Sequence, residues 1–391
     1  MSHLESDLIS SPLSKEADAI VPVITDAVTI TGLGDGLGLL WQKLMRRESA
    51  IRPVNRFRTA RYNADIAACI EELTISPGRS LVHSLLDRLF CHMGPISPDT
   101  FLITATTKAG IDVLEKIQTG IPADIQEVSL LSPADAVMKA FNLTEGGINI
   151  SAACASSTIA VARAASMIAS GRADAVLVCC VDVVTEFIFS GFSALKALSS
   201  VPCRPFDCNR NGLSLGDGAA ALVVMNPGEA QRKKQKPLGK IIGWGVANDA
   251  AHITAPDPNG SGLVQAISRS LGMSGKHAVE ISAICAHGTG TIFNDRMETA
   301  AFRQIFGDRR VPAYSIKGAI GHTLAAAGGI EIAVGLQALN AQVVPPTVGL
   351  ETPMNEAIGW VKNEPIAFAG KYLLTTNSGF GGVNAALVLE G

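Results

Sequence analysis

The stretch Asn149–Gly171, NISAACASSTIAVARAASMIASG, sets a single cysteine among small residues. The apolar run GGINIS that leads into it reads as a strand. The run from Ala155 to Ser170 reads as a helix that stops at Gly171. Cys154 therefore lies where a strand hands over to a helix. A thiol at that point meets the positive end of the helix macrodipole and backbone N–H groups that lack helical partners. Both favour thiolate, the reactive form, and the N–H of Cys154 itself is placed to face an oxyanion. A packed core thiol is the competing reading. Only partners elsewhere in the chain decide between the two.

The same alternation runs outward in both directions. DTFLITATT, INISAAC, DAVLVCCVDV and GAAALVVMN read as strands, with the helix after Cys154 between two of them. Such apolar, β-rich runs belong to a sheet covered on both faces. Upstream, AVTITGLGDGLGLLWQKLMRRESAI reads as strand, glycine-rich turn and helix. Its glycines resemble a dinucleotide fingerprint only loosely, and no acidic residue closes a second strand about 20 residues on, so a tight turn is the better reading. At QRKKQKPLGK (231–240) the sequence turns basic and irregular, as a solvated turn does. A second α/β series follows: IIGWGVAND, ISAICAHGTGT, a helix near DRMETAAFRQIF, PAYSIKG, a helix over TLAAAGGIEIAVGLQAL, then KYLLTTNSGFGG and NAALVLE. The chain thus divides into a polar tail (1–25) and two α/β halves, 26–235 and 236–391.

Composition narrows the partners. The 391 residues are 47% hydrophobic, enough for a large core. A net charge of −3 gives no reason to expect nucleic acid or an anionic membrane. The first twenty residues lack the basic start and apolar centre of a signal peptide. No uninterrupted apolar run reaches the ~18 residues of a membrane span. Eight cysteines are too sparse for a disulfide scaffold, and no CxxC or Cys/His spacing suggests zinc. A reducing, cytoplasmic setting fits these features. Adjacent Cys179 and Cys180 read as buried strand thiols.

Two of the seven histidines stand out. His287, in ICAHGTGTIFND, lies where an apolar strand ends in a Gly/Thr turn. His322, in SIKGAIGHTLAAAGG, precedes a small-residue helix and follows Lys317 by five positions. Two imidazole N–H donors facing one carbonyl make an oxyanion hole. Lys317 is suited to set their protonation or to pair with a carboxylate such as Glu331. NSGFGG (Asn377–Gly382) reads as a backbone that approaches the nucleophile, with Phe380 as a movable aromatic wall.

Taken together, TITGLG, SAACASS, SGFSALKALS, CRPFDCNRNGLSLGDGAAALVV, AHGTGTIFND, SIKGAIGHTLAAAGGIE, VPPT and NSGFGGVNAALVL resemble, in order, the elongating β-ketoacyl-acyl-carrier-protein synthases of the thiolase superfamily. The resemblance covers 150–391 well and 26–60 more loosely. It implies a thiolase-like α/β fold, with duplicated halves in a five-layer αβαβα arrangement, and a decarboxylative Claisen condensation. In that reading Cys154 carries the acyl chain, while His287 and His322 hold the malonyl thioester carbonyl. Lys317 and Glu331 match the supporting ion pair, and Thr289 and Thr291 the hydroxyls on the pantetheine arm. Phe380 matches the gating phenylalanine, with Gly381 beside it as a further substrate-binding candidate, and the N–H groups of Cys154 and Phe380 match the acyl oxyanion hole. A Cys-His-Asn set would point to initiation; His322 in the third position points to elongation.

The resemblance further implies acyl carrier protein as partner, no metal or redox cofactor, and a dimer, either of two copies or with a related synthase subunit. ADAVLVCCVDV is the expected edge-to-edge dimer strand. An alternative role is that of a chain-length-shaping subunit in a heterodimer. The segment 62–145 departs from the family pattern, and with it the acyl tunnel. The run KLMRRESAIRPVNRFRTARY carries seven Lys/Arg and one Glu. It suits an acidic carrier as well as a solvated basic face.

Overall fold

A computed structural model describes residues 20–73 and 78–391. The first half of the chain forms β1 (Val23–Thr31), β2 (Phe101–Ala105), β3 (Gly146–Ile150), β4 (Ala175–Asp182) and β5 (Gly218–Met225), in the spatial order β1-β5-β4-β2-β3. The second half forms β6 (Gly239–Asn248), β7 (Ile281–Cys285), β8 (Ala313–Tyr314), β9 (Tyr372–Gly379) and β10 (Val383–Glu390), in the order β6-β10-β9-β7-β8. Each half begins with two antiparallel ladders and ends with two parallel ones. Order and direction repeat together, which is the mark of a duplication. The run 231–238 falls where the two repeats meet.

The halves join edge to edge through two residue pairs of β1 and β6, Val23↔Lys240 and Ile24↔Gly239. Hydrogen bonding therefore makes one continuous sheet across this seam. The helices are α1 (Leu37–Met45), α2 (Leu81–Phe90), α3 (Asp112–Gln118), α4 (Ser132–Phe141), α5 (Ser156–Ala169), α6 (Glu186–Ala194), α7 (Pro227–Arg232), α8 (Ser261–Ser274), α9 (Ile292–Phe306), α10 (Lys317–Ile320) and α11 (Ala327–Ala341). α5 and α11 pack on each other and on strands of both halves. α2 and α4 cover the first half from outside, and α8 with α9 the second. The layers are α-β-α-β-α.

Small residues make the middle layer possible. A Cβ on Gly328 would lie 2.0 Å from Thr158 Oγ1, so α11 approaches α5 only because that position has no side chain. By length and hydropathy, Leu324–Ala341 passes for a membrane span although no uninterrupted run suggests one. Its residues are 83% buried within the fold, so its hydropathy serves the core.

Three expectations change. β1 begins at Val23, inside the supposed tail, while residues 1–19 lie outside the described part. β4, the expected dimer strand, is hydrogen-bonded on both sides, to β5 and β2. The open edge of that half is β3. Three of the seven basic residues in the run Lys43–Tyr62 are paired within the chain. Arg56 forms a buried pair with Asp217 (2.6 Å), Arg52 meets Glu71 (3.2 Å) and Arg61 meets Glu186 (2.6 Å). The glycine-rich turn is a tight one, with Thr31 opposite Gly34.

Candidate active site

Cys154 lies between β3 and α5, in a turn where Ala153 takes φ +48°. That left-handed conformation costs a non-glycine residue roughly 1–2 kcal/mol. It is held by Ser156, whose Oγ accepts from Ala152 N (2.8 Å) and donates to Ala153 O (2.5 Å). α5 begins at Ser156 with Ala155 as its cap, so Cys154 sits just ahead of the helix. It is 8% exposed. Burial pushes its thiol up to about 12; Lys317 opposes this, and the buried Asp182 and Glu331 add to it. The expected thiolate is therefore a neutral thiol: at this depth the cost of desolvating the anion exceeds the help of the helix end.

His287 follows β7 and His322 follows α10. One ring nitrogen of each lies, with the Cys154 sulfur, in a group whose atoms are all within 4.8 Å of one another. The rings meet edge-on, centroids 5.2 Å apart. His322 is pinned by its backbone: its N–H donates to Ser214 O (2.7 Å), and its carbonyl accepts from Gly216 N (3.0 Å). His287 is pinned by its ring. Lys317 Nζ and Asn377 Nδ2 both face its Nδ1, each at 3.2 Å. Both are N–H donors, so Nδ1 is the acceptor and the ring proton sits on Nε2. Burial first, and then the Lys317 ammonium, hold both imidazoles well below their usual range. Both are neutral donors at neutral pH.

Lys317 itself is 1% exposed. It pairs with Glu331 and donates to the His287 carbonyl at 2.5 Å. The other Glu331 oxygen accepts from Asn377 Nδ2 (2.7 Å), and Asn377 Oδ1 accepts from Thr158 on α5. Asn377 escaped the sequence reading, although it opens the NSGFGG run. So did two acids one helical turn apart on α9. Glu298 accepts from His287 N and Gly288 N, both at 2.7 Å. Asp295 accepts from Thr289 N (3.1 Å) and Gly290 N (3.2 Å). Together they hold the histidine turn in place. Burial, and the neighbouring Asp295, push Glu298 up to about 7.

A cavity of about 280 Å³ is lined by Cys154, His287, His322, Thr289, Thr291 and Phe380, among others. The two threonine hydroxyls stand 3.0 Å apart. Phe380 stacks on Phe192 of α6, centroids 5.7 Å apart. Gly381 does not form part of the wall; its N–H donates to Ile253 O (2.7 Å). The backbone that approaches the nucleophile belongs to Gly379, where a Cβ would stand 3.1 Å from Cys154 N and 3.0 Å from Ala153 Cβ. Gly379→Ala therefore displaces the cysteine turn by a few tenths of an ångström. If Cys154 is the acyl acceptor that the resemblance implies, its loading slows about tenfold with the fold intact; single-turnover loading followed by mass spectrometry measures it.

Cys, His and His are also zinc-ligand types. Binding a metal through His287 Nε2 would move the ring proton to Nδ1, where two donors already point. The hydrogen bonds around His287 suit donation to an oxygen instead.

Comparison with known proteins agrees with this architecture. Residues 130–230 match the β-ketoacyl synthase N-terminal domain model and residues 238–351 its C-terminal domain model. The tetracenomycin polyketide synthase ketoacyl synthase alpha subunit of Streptomyces glaucescens is 30% identical, over 93% of this chain and 96% of its own. The 3-oxoacyl-[acyl-carrier-protein] synthase 2 of Coxiella burnetii is 29% identical, over 94% and 98%. Among solved structures, the ishigamide ketosynthase/chain length factor superposes with a TM-score of 0.87 at 24% identity, covering 95% of this chain and 99% of its own. The chain belongs to the β-ketoacyl synthase family. It is an acyl-transferring enzyme that forms carbon–carbon bonds, on a thiolase-like fold.

Proposed function

We propose that this chain is an elongating 3-oxoacyl-[acyl-carrier-protein] synthase in fatty-acid, polyene or polyketide assembly. In this reading, residues 23–235 bring the nucleophile and 236–391 the two histidines. The observation that carries it is the convergence of a buried thiol with two neutral imidazoles, one with its proton fixed on Nε2.

Cys154 sulfur attacks the acyl thioester of the carrier. The carrier's thiol leaves and takes up the proton that Cys154 gives up. A thiol suits both halves of this exchange, being a good nucleophile and a good leaving group. The N–H groups of Cys154 and Phe380 stabilise the tetrahedral oxyanion. A malonyl thioester then enters along Thr289 and Thr291. Its carbonyl oxygen accepts from His287 and His322, and its carboxylate leaves as carbon dioxide. Negative charge grows on that oxygen, so neutral donors aimed at it lower the barrier. The enolate carbon attacks the acyl carbonyl and expels the Cys154 thiolate, which is reprotonated. The product is a β-ketoacyl thioester two carbons longer. Losing carbon dioxide creates the carbanion, so no general base is needed.

The partners are the loaded acyl carrier protein and a second synthase-like chain, a copy of this one or a related subunit. That second chain pairs along β3, where the first half's ladder is open and Ile148 is 38% exposed. The cytoplasmic setting fits eight free cysteines. The test is incubation with acyl- and malonyl-loaded carrier protein. The expected result is carbon dioxide and a carrier-bound β-ketoacyl chain in equal amounts. Thioester hydrolysis without chain extension contradicts the proposal.

A further inference from the structure

His322 is followed by a turn that its own residues do not secure. Leu324, two positions on, is buried and held at φ +54°, a left-handed conformation that meets a steric cost in a residue with a side chain. Thr323 precedes the short 3-10 turn Leu324–Ala326 and is of a type that ordinarily caps its own helix. Here its side chain makes no cap bond, and its buried Oγ1 has no hydrogen-bond partner. The cap comes from the other half of the chain. Asp182 Oδ2, at the end of β4, accepts from Ala325 N (3.0 Å). The turn also rests on these strand ends: Gly218 pairs with Asp182 across β4 and β5, and a Cβ on Gly218 would stand 2.7 Å from Thr323 Cβ.

Asp182 is itself held in place. It is fully buried, where a carboxylate is tolerated only with its oxygens satisfied. Thr107 Oγ1 donates to the same Oδ2 (2.7 Å), and Thr106 Oγ1 donates to Oδ1 (2.8 Å). Burial pushes this carboxyl up, while the bonds from Thr107, Thr106 and Ala325 oppose the rise. Asn149 on β3 brackets the Thr106 backbone, accepting from its N–H (3.1 Å) and donating to its carbonyl (3.2 Å). β3 is the strand that leads into Cys154. One hydrogen-bond network thus runs from the strand before the nucleophile to the turn after His322. Because the cap is borrowed, the place of that turn depends on the half that bears Cys154. We infer that Asp182 is a positioning residue for the condensation, setting His322 against Cys154 and so against the malonyl carbonyl. The inference rests on the decarboxylating role proposed for His322.

The test measures carbon dioxide release from malonyl-carrier protein beside acyl loading of Cys154. Asp182→Ala removes the acceptor for Ala325 N. It is expected to lower kcat for decarboxylation about tenfold, as a displaced catalytic group does, with KM within about twofold of wild type. Loading, which uses backbone N–H groups, is expected to stay within about twofold. Asp182→Asn keeps an oxygen that can face Ala325 N, and is expected to hold decarboxylation within about threefold of wild type. Added to His322→Ala, Asp182→Ala is expected to change the remaining rate by less than about twofold, because the group it positions is gone. Thr107→Val keeps the shape and removes one hydroxyl that holds Asp182. It is expected to lower decarboxylation about threefold, with the same dependence on His322, and it decides the matter if Asp182→Ala does not fold. The proposal is overturned if Asp182→Ala leaves decarboxylation unchanged or slows loading equally. A loss as large in Asp182→Asn, or one that persists in full beside His322→Ala, also overturns it. No carbon dioxide release by the wild type would instead count against the proposed function.

Discussion

Replacing His322 with alanine lowers malonyl decarboxylation by about 10²- to 10³-fold, the cost of one oxyanion donor, while acyl transfer to Cys154 persists. The two half-reactions separate because they use different donors: imidazoles for the enolate, backbone N–H groups for the acyl oxyanion. His322 is the cleaner probe of the pair. Its Nδ1 has no hydrogen-bond partner, so truncation strands no buried group. His287→Ala is expected to match it in rate and to lose stability as well. There, Lys317 Nζ and Asn377 Nδ2 both lose an acceptor. Carbon dioxide release, measured beside the mass of the acyl-enzyme, checks both variants. Equal losses in the two half-reactions would assign the histidines to loading instead.

Lys317→Ala is expected to cost about 3–5 kcal/mol of folding stability, because it leaves Glu331 as an unpaired buried carboxylate. Its effect on the histidines is separable by pH. In the wild type both imidazoles are depressed, so the acid limb of decarboxylation lies well below their usual range. Removing the ammonium, and exposing His287 to an uncompensated Glu331, raises both. Protonated imidazole exists at higher pH in the variant, and the acid limb moves up toward neutrality. Stability follows the same linkage. The wild-type histidines stay neutral when folded and protonate when unfolded, so stability falls as pH drops through their unfolded value, about 6.5. A pH–rate profile of decarboxylation, with denaturant unfolding at two pH values, measures both effects. An unmoved acid limb would show that Lys317 does not set the imidazole charge.

Much of this site was legible because each chemical residue sits at the end of an apolar strand or at a glycine turn. Cys154 after GGINIS, His287 after ISAIC and Lys317 with His322 after PAYS all announce themselves by that change of pattern. What stayed hidden depends on distance in space. Asn377 looked like the start of a loop, yet it bonds His287, Glu331 and Thr158 across the two repeats. Asp295 and Glu298 looked like an ordinary polar helix face, yet they turn inward, Glu298 onto the backbone of His287 and Asp295 onto that of Thr289. The charge state of Cys154 was read from its helix and decided by its burial. The arginines after Leu40 looked free, yet three are paired with acids between 19 and 161 positions away. The open sheet edge follows from strand order, which no local pattern reveals. In 62–145, the short helices α2 and α4 pack on each other and on strands of the first half, most of which lie outside the segment.

The most direct measurement is the intact mass of the protein after incubation with a panel of acyl-loaded carrier proteins, wild type beside Cys154→Ala. The account predicts a mass increase equal to the acyl group on the wild type, none on the variant, and loss of that increase when malonyl-carrier protein is added. An acyl adduct that survives in Cys154→Ala, or no adduct on the wild type with any donor, would contradict it.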